Sequence, residues 1–132
     1  MPSQETINRF IARVEENAHA DAVEEFYAAE CVIRENQADP RLGRSAQAAR
    51  ERALMAKAER MESRCLPPVI HAGNHVAIRW IFEFHWPDGT ITRMEEVALQ
   101  RWEGDRIVEE TFFYDPAQKI PKVVPSAAAR PA

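Results

Sequence analysis

Cysteine is scarce in this chain of 132 residues: there are two, Cys31 and Cys65, and their spacing matches no zinc or redox motif. They read as reduced structural thiols of a cytoplasmic protein. Four glycines stand far apart, so no Gly-rich phosphate loop or Walker signature is present, and no Ser/His/Asp nucleophile motif either. Long apolar runs are missing, so no segment is expected to span a bilayer. The start, Met1 to Thr6, lacks the basic-then-apolar order of a signal peptide. Positive charge is not in excess. Lys plus Arg is 17 against 21 for Asp plus Glu, a formal charge of −4, which argues against a broad nucleic-acid-binding face.

What is there is an ordinary globular balance, 45% apolar and 29% charged. The length suits one domain that can bury a core unaided. The end differs in composition. Residues 116–132 hold Pro116, Pro121, Pro125, Pro131 and the run Ala127–Ala129. The domain is therefore expected over 1–116, with a flexible tail over 117–132 or, less simply, an arm lying on a partner subunit.

The first half reads helical. Ile7, Phe10, Ile11 and Val14 form one stripe behind a Ser3 cap. A second helix is predicted from Ala20 to Tyr27, with Val23, Phe26 and Tyr27 inward. Cys31 to Glu35 reads as a short strand, and Asn36 to Gly43 as an irregular hairpin. A third helix is predicted from Ala46 to about Met61, capped by Ser45, its apolar positions mostly alanine (Ala46, Ala49, Ala53, Ala56) with Leu54 and Met61. Its charges, Arg50-Glu51-Arg52 among them, read as a solvated face.

The second half reads as strands. Arg64 to Ala72 is interrupted by Pro67-Pro68, which suits an edge or a bulge. His75 to Trp86, Thr90 to Trp102 and Arg106 to Tyr114 follow, separated by tight turns, and form an antiparallel meander. Helices first and a meander afterwards predict an α+β domain with helices on one face of the sheet. Period-two alternation sorts the faces. Ile78, Trp80, Phe82 and Phe84 share the face turned to the helices, while Ile81, Val97, Leu99 and Phe113 give the other face an apolar share. A sheet apolar on both faces is expected to meet a second copy of itself.

This order of elements resembles a known family. The segment Phe26-Tyr27-Ala28-Ala29-Glu30-Cys31-Val32-Ile33-Arg34-Glu35, the stretch Arg41-Leu42-Gly43-Arg44 before a helix, the hairpin Arg101 to Val108 and the closing Phe113-Tyr114-Asp115 carry the likeness. It is similar to the SnoaL-like, polyketide-cyclase-type branch of the nuclear transport factor-like, ketosteroid isomerase-like superfamily. The resemblance implies a cone: a curved antiparallel sheet wrapped around N-terminal helices, enclosing an apolar pocket. It also implies homodimers through the outer sheet face. Against ketosteroid isomerase, the general-base position falls on Glu35. The two oxyanion-hole positions fall on Ile11 and Ala98, so that isomerisation is not expected.

The candidate chemistry rests on carboxylates. Glu35, at a strand end beside an apolar pocket, is expected to have a raised pKa and act as a base; pairing with Arg34, Arg41 or Arg44 is the alternative. Glu110 and Glu96 lie on the predicted inner face and can share or divide acid and base roles. Tyr114 offers a hydroxyl donor. Trp80, Phe82, Phe112, Met94, Val14 and Ile11 are the expected apolar walls. His71 is a weaker acid–base candidate at the mouth. His71 and His75 flank a turn at spacing that carries no metal signal, and neither a metal nor a cofactor is expected. Three functions fit: a small-molecule isomerase, cyclase or lyase acting on an apolar substrate, a binding protein for a small apolar ligand, or an association domain with a filled pocket.

Overall fold

Helix α1 (Gln4–Glu15) begins where the Ser3 hydroxyl accepts the Thr6 backbone N–H at 3.0 Å, the cap the sequence predicts. The computed structural model describes residues 1–123; residues 124–132 of the expected tail lie outside the described residues. On α1 the stripe Ile7, Phe10 and Val14 is buried. Helix α2 (His19–Phe26) is short and buries Ala22, Val23 and Phe26. Tyr27, expected to end that helix, instead opens strand β1 (Tyr27–Glu35), although its side chain does point inward. Strand β2 (Arg41–Leu42) folds back on Val32 and Ile33, the irregular hairpin anticipated there.

Helix α3 (Arg44–Lys57) departs most from expectation. Its cap is Gly43 rather than Ser45. Gly43 sits at φ 97°, where a side chain is strained, and donates its N–H to the Cys31 carbonyl at 2.9 Å. The helix stops at Lys57, and strand β3 (Arg60–Ala72) takes Met61 into the sheet. The alanine face predicted to pack is exposed. Leu54 packs inward as expected, joined by Gln47, Ala48, Glu51 and Met55. Alanine is nearly indifferent to burial, so the long aliphatic side chains decide the orientation.

Strands β3, β4 (His75–His85), β5 (Thr90–Glu103) and β6 (Arg106–Phe113) form the meander, and the sheet order is β2-β1-β6-β5-β4-β3. All neighbours run antiparallel except β1 and β6. β3 lies at the edge, and its register breaks between Leu66 and Ile70, around the two prolines. The alternation holds. Val76, Ile78, Trp80, Phe82 and Phe84 on β4, and Met94, Ala98 and Trp102 on β5, are buried in one cluster with α1 and α2. Val97, Leu99 and Phe113 face outward at 39%, 43% and 40% exposure. The fold is the expected α+β cone, a curved, mostly antiparallel sheet with the helices on its inner side.

The ordered chain runs past the expected boundary at 116. A 3-10 helix (Pro116–Lys119) starts where Asp115 accepts from the Ala117 N–H, and β7 (Lys122–Val123) pairs with Thr90 and Ile91 of β5. Gln118 clamps Glu95 from both sides: its Oε1 accepts the Glu95 N–H at 2.6 Å and its amide donates to the Glu95 carbonyl at 3.4 Å. These contacts bring Lys119 to the site. Among the described residues, no helix is long and apolar enough to cross a membrane.

Candidate functional site

Between the helices and the inner face of the sheet lies a cavity of about 360 Å³. That is the small end of the range for ligand pockets, about 300–1,000 Å³. Its floor is aromatic. Trp80 and Phe82 stack at 5.4 Å between centroids and 19° between planes, because alternate residues of a strand stand side by side. Phe84 and Trp86 repeat the arrangement at 5.5 Å and 6°. Val14, Met94 and Phe112 also line the cavity, as expected. Ile11 does not. It packs against the core from the flank of α1, one helical step off the face that meets the pocket.

Glu35 lies at the cavity wall, but its chemistry is the reverse of that expected. Oε1 accepts the Tyr114 hydroxyl and lies 3.4 Å from Lys119 Nζ; Oε2 accepts from Arg41 and, at 3.1 Å, from Arg50. Burial pushes the carboxyl up, yet the Tyr114 hydrogen bond, Arg41 and Lys119 together outweigh it and bring the pKa down to about 2. The pairing with Arg41 considered from sequence is real. The turn after β1 builds this cluster. Asn36 takes a left-handed conformation, φ 53°, and its Oδ1 receives the Tyr114 N–H at 3.0 Å. Tyr114 is therefore committed to Glu35 and is not itself part of the cavity lining.

Glu110, on β6, is buried in the cavity lining. It accepts from Tyr27 Oη and, at 2.6 Å, from Gln100 Nε2, whose own Oε1 takes the Trp102 indole N–H at 3.0 Å. Burial raises its pKa to about 7, and the two hydrogen bonds hold it from going higher. Each oxygen already holds one donor, so Glu110, although it lines the cavity, also anchors a buried network. Tyr27→Phe removes one donor from a fully buried carboxyl. A loss of about 1–3 kcal/mol is expected in urea unfolding, together with a further rise of the Glu110 pKa; unchanged stability contradicts this account.

Glu96 is the free carboxyl. It lines the cavity from the inner face of β5, opposite Trp80, and among the described residues it receives no side-chain hydrogen bond. Burial raises its pKa, and Glu35, Glu110 and Glu51 add to the effect, bringing it to about 8. Ala98, where the resemblance sets an oxyanion-hole position, offers no donor, but the Glu96 carboxyl enters two residues earlier on the same face.

The polar rim is the part that sequence reasoning missed. Arg41 Nε donates to Gln47 at 3.3 Å, Gln47 donates to Glu51 at 2.9 Å, Glu51 lies 3.8 Å from His19 Nδ1, and His19 Nε2 meets Ser63 at 2.8 Å. His19 also sets its ring edge against Phe82 at 5.2 Å. His71 is remote from this rim, bonded across its own turn to the Gly73 carbonyl at 2.9 Å. One trio, Glu62, Glu83 and His85, holds its ligand atoms within 4.8 Å of one another. Arg60 already supplies the cation there, 2.6 Å from Glu62 and 3.3 Å from His85.

Residues 7–110 match the SnoaL-like domain family. No curated protein matches the sequence. Solved structures share the fold. A ketosteroid isomerase-like protein of Catenulispora acidiphila, described in complex with trimethylamine, superposes with a TM-score of 0.72 at 18% identity, over 89% of this chain and 90% of that one. An epoxide hydrolase of the LEH-like type from M. tuberculosis gives 0.71 at 12% identity, over 87% and 84%. A protein of Mesorhizobium loti named for the SnoaL-like polyketide cyclases gives 0.69 at 20% identity, over 83% and 97%.

Proposed function

The chain belongs to the SnoaL-like domain family, and from that premise we propose that it is an acid–base enzyme for a small apolar substrate, of the isomerase, cyclase or dehydratase type, with Glu96 as the proton-transferring group. The observation that carries this reading is a carboxyl that receives no side-chain hydrogen bond among the described residues, faces a largely apolar cavity and holds its proton up to about pH 8. At pH 7 it enters the cycle as an acid, giving its proton to an oxygen that gains negative charge. It then serves as a base stronger than an ordinary carboxylate. Glu35, ionised and fully hydrogen-bonded, organises the rim instead of taking protons. Trp80 and Phe82 form the wall on which a flat substrate stacks.

The test is exchange of the α-hydrogen for deuterium in small benzo-fused ketones such as 2-tetralone in deuterium oxide, followed by proton NMR. Glu96→Gln is expected to remove about 10²-fold or more of the exchange rate, the usual share of a positioned acid–base group. Exchange that survives this change refutes the assignment. A second reading, binding without turnover, is favoured by the saturation of Glu35 and by the ligand held in the Catenulispora acidiphila protein. It predicts ligand affinity with no exchange at all.

The partner in this reading is a second copy. The outward row Val97, Leu99 and Phe113 is flanked by the ion pairs Arg79–Glu95 and Arg101–Glu109. A two-fold copy sets apolar row on apolar row and arginine against glutamate. Light scattering is expected to give twice the 15.1 kDa chain mass, and Leu99→Glu is expected to return it to the single value. A wild-type chain of single mass removes the dimer.

A further inference from the structure

At the mouth of the cavity, charge does not balance. Three cations, Arg41, Arg50 and Lys119, converge on one carboxylate, Glu35. Glu35 has two oxygens, and Tyr114 already donates to one of them. One cation suffices to neutralise it. Glu51, the other carboxylate of the rim, is engaged by Gln47 and faces His19, not the arginines. Arg41 is bound at two nitrogens, Nη1 to Glu35 and Nε to Gln47. The other two are more exposed. Among the described residues Arg50 makes a single side-chain hydrogen bond, through Nη2, and its side chain is 51% exposed; that of Lys119 is 54% exposed. Both line the cavity. An arginine held by one nitrogen keeps a fork of donors free, the geometry that takes a carboxylate with two parallel hydrogen bonds. Below them the aromatic floor is apolar and flat.

We propose that the ligand of this pocket carries a carboxylate, which docks on Arg50 and Lys119 at the mouth while its apolar body stacks on Trp80 and Phe82. This rests on the small-molecule site proposed above and names the class of substrate it takes: an aromatic or polycyclic acid. The Glu35 cluster then has a purpose that neutralisation alone does not supply. It holds two cations in place, Arg50 with most of its donors unused, so that little side-chain entropy is lost when the anion arrives. The 3-10 helix and β7 contribute by fixing Lys119 over the Tyr114 ring, with Nζ 5.3 Å from its centroid.

The experiment uses three probes of one shape, titrated calorimetrically into the full chain at pH 7: 2-naphthoate, 2-naphthylmethanol and 2-naphthylmethylammonium. The acid is expected to bind at least about 10-fold more tightly than the alcohol, and the amine more weakly than either. In the Arg50→Gln/Lys119→Met double variant the acid is expected to fall to the affinity of the alcohol, whose own affinity is unchanged. Lys119→Arg is expected to keep the preference. Both positions are exposed, and a melting curve within a few degrees of wild type confirms that the double variant folds. Equal binding of acid and alcohol, a preference that survives in the double variant, or tightest binding of the amine overturns the proposal. If only the charge preference is absent, the acid–base site stands, with its exchange activity as its own test. If no probe binds, the ligand pocket itself is refuted, and this inference falls with it.

Discussion

Glu96→Gln is expected to raise the melting temperature at pH 8 by about 6–12 °C, although it removes the group proposed to transfer the proton. The reference carboxyl has a pKa of 4.5, and the folded protein holds Glu96 at about 8. The fold therefore favours the protonated form. The stability contribution of this proton is complete below 4.5 and is lost as pH rises through 8. At pH 8 the wild-type chain carries a penalty on the order of 2–4 kcal/mol for a partly buried carboxylate among other acids. Glutamine keeps the shape without the charge, so the penalty disappears. Below about pH 4 the two proteins are expected to melt together. Glu110, raised to about 7, is present in both, and its repulsion of an ionised Glu96 is part of the penalty that the variant removes. A site group whose removal stabilises the fold is the mark of function gained at the expense of stability. Identical melting at pH 8 contradicts the raised pKa.

Glu35→Gln is expected to act in the opposite direction and over the opposite pH range. Folding lowers the Glu35 pKa from 4.5 to about 2, so its contribution is complete above 4.5 and is lost as pH falls through 2. At pH 7 the variant leaves Arg41, Arg50 and Lys119 facing one another without their shared anion. A loss of about 2–3 kcal/mol follows, or about 6–10 °C in melting temperature. Near pH 2 the difference is expected to vanish. The same substitution removes the charge that most raises the Glu96 pKa after burial, so Glu96 is expected to titrate below 8 in this variant. A loss of stability independent of pH points to packing rather than charge.

The sheet faces were legible because the pleat imposes them. Once β4, β5 and β6 are assigned, alternation alone places Trp80, Phe82, Met94, Glu96, Glu110 and Phe112 inward. The face of α3 was not legible. Its alanines carry little burial energy, and two polar side chains, Gln47 and Glu51, turn in because the rim network satisfies them. The pKa of Glu35 was misread for a related reason. A strand end beside an apolar pocket suggests desolvation, but the donors that reverse the shift arrive from distant positions, Tyr114 by the turn at Asn36 and Lys119 by the segment after β6. That segment reads as tail because it is rich in proline and poor in large apolar residues. What orders it is a 3-10 turn, a backbone clamp from Gln118 and a two-residue strand, none of which needs an apolar pattern.

The most direct measurement is a carbon-13 NMR titration of the Glu96 side-chain carboxyl in the full-length chain. The structure predicts a midpoint near 8, moved lower by Glu35→Gln. A midpoint between about 4 and 5, the ordinary range for glutamate, would contradict the acid–base account at its centre.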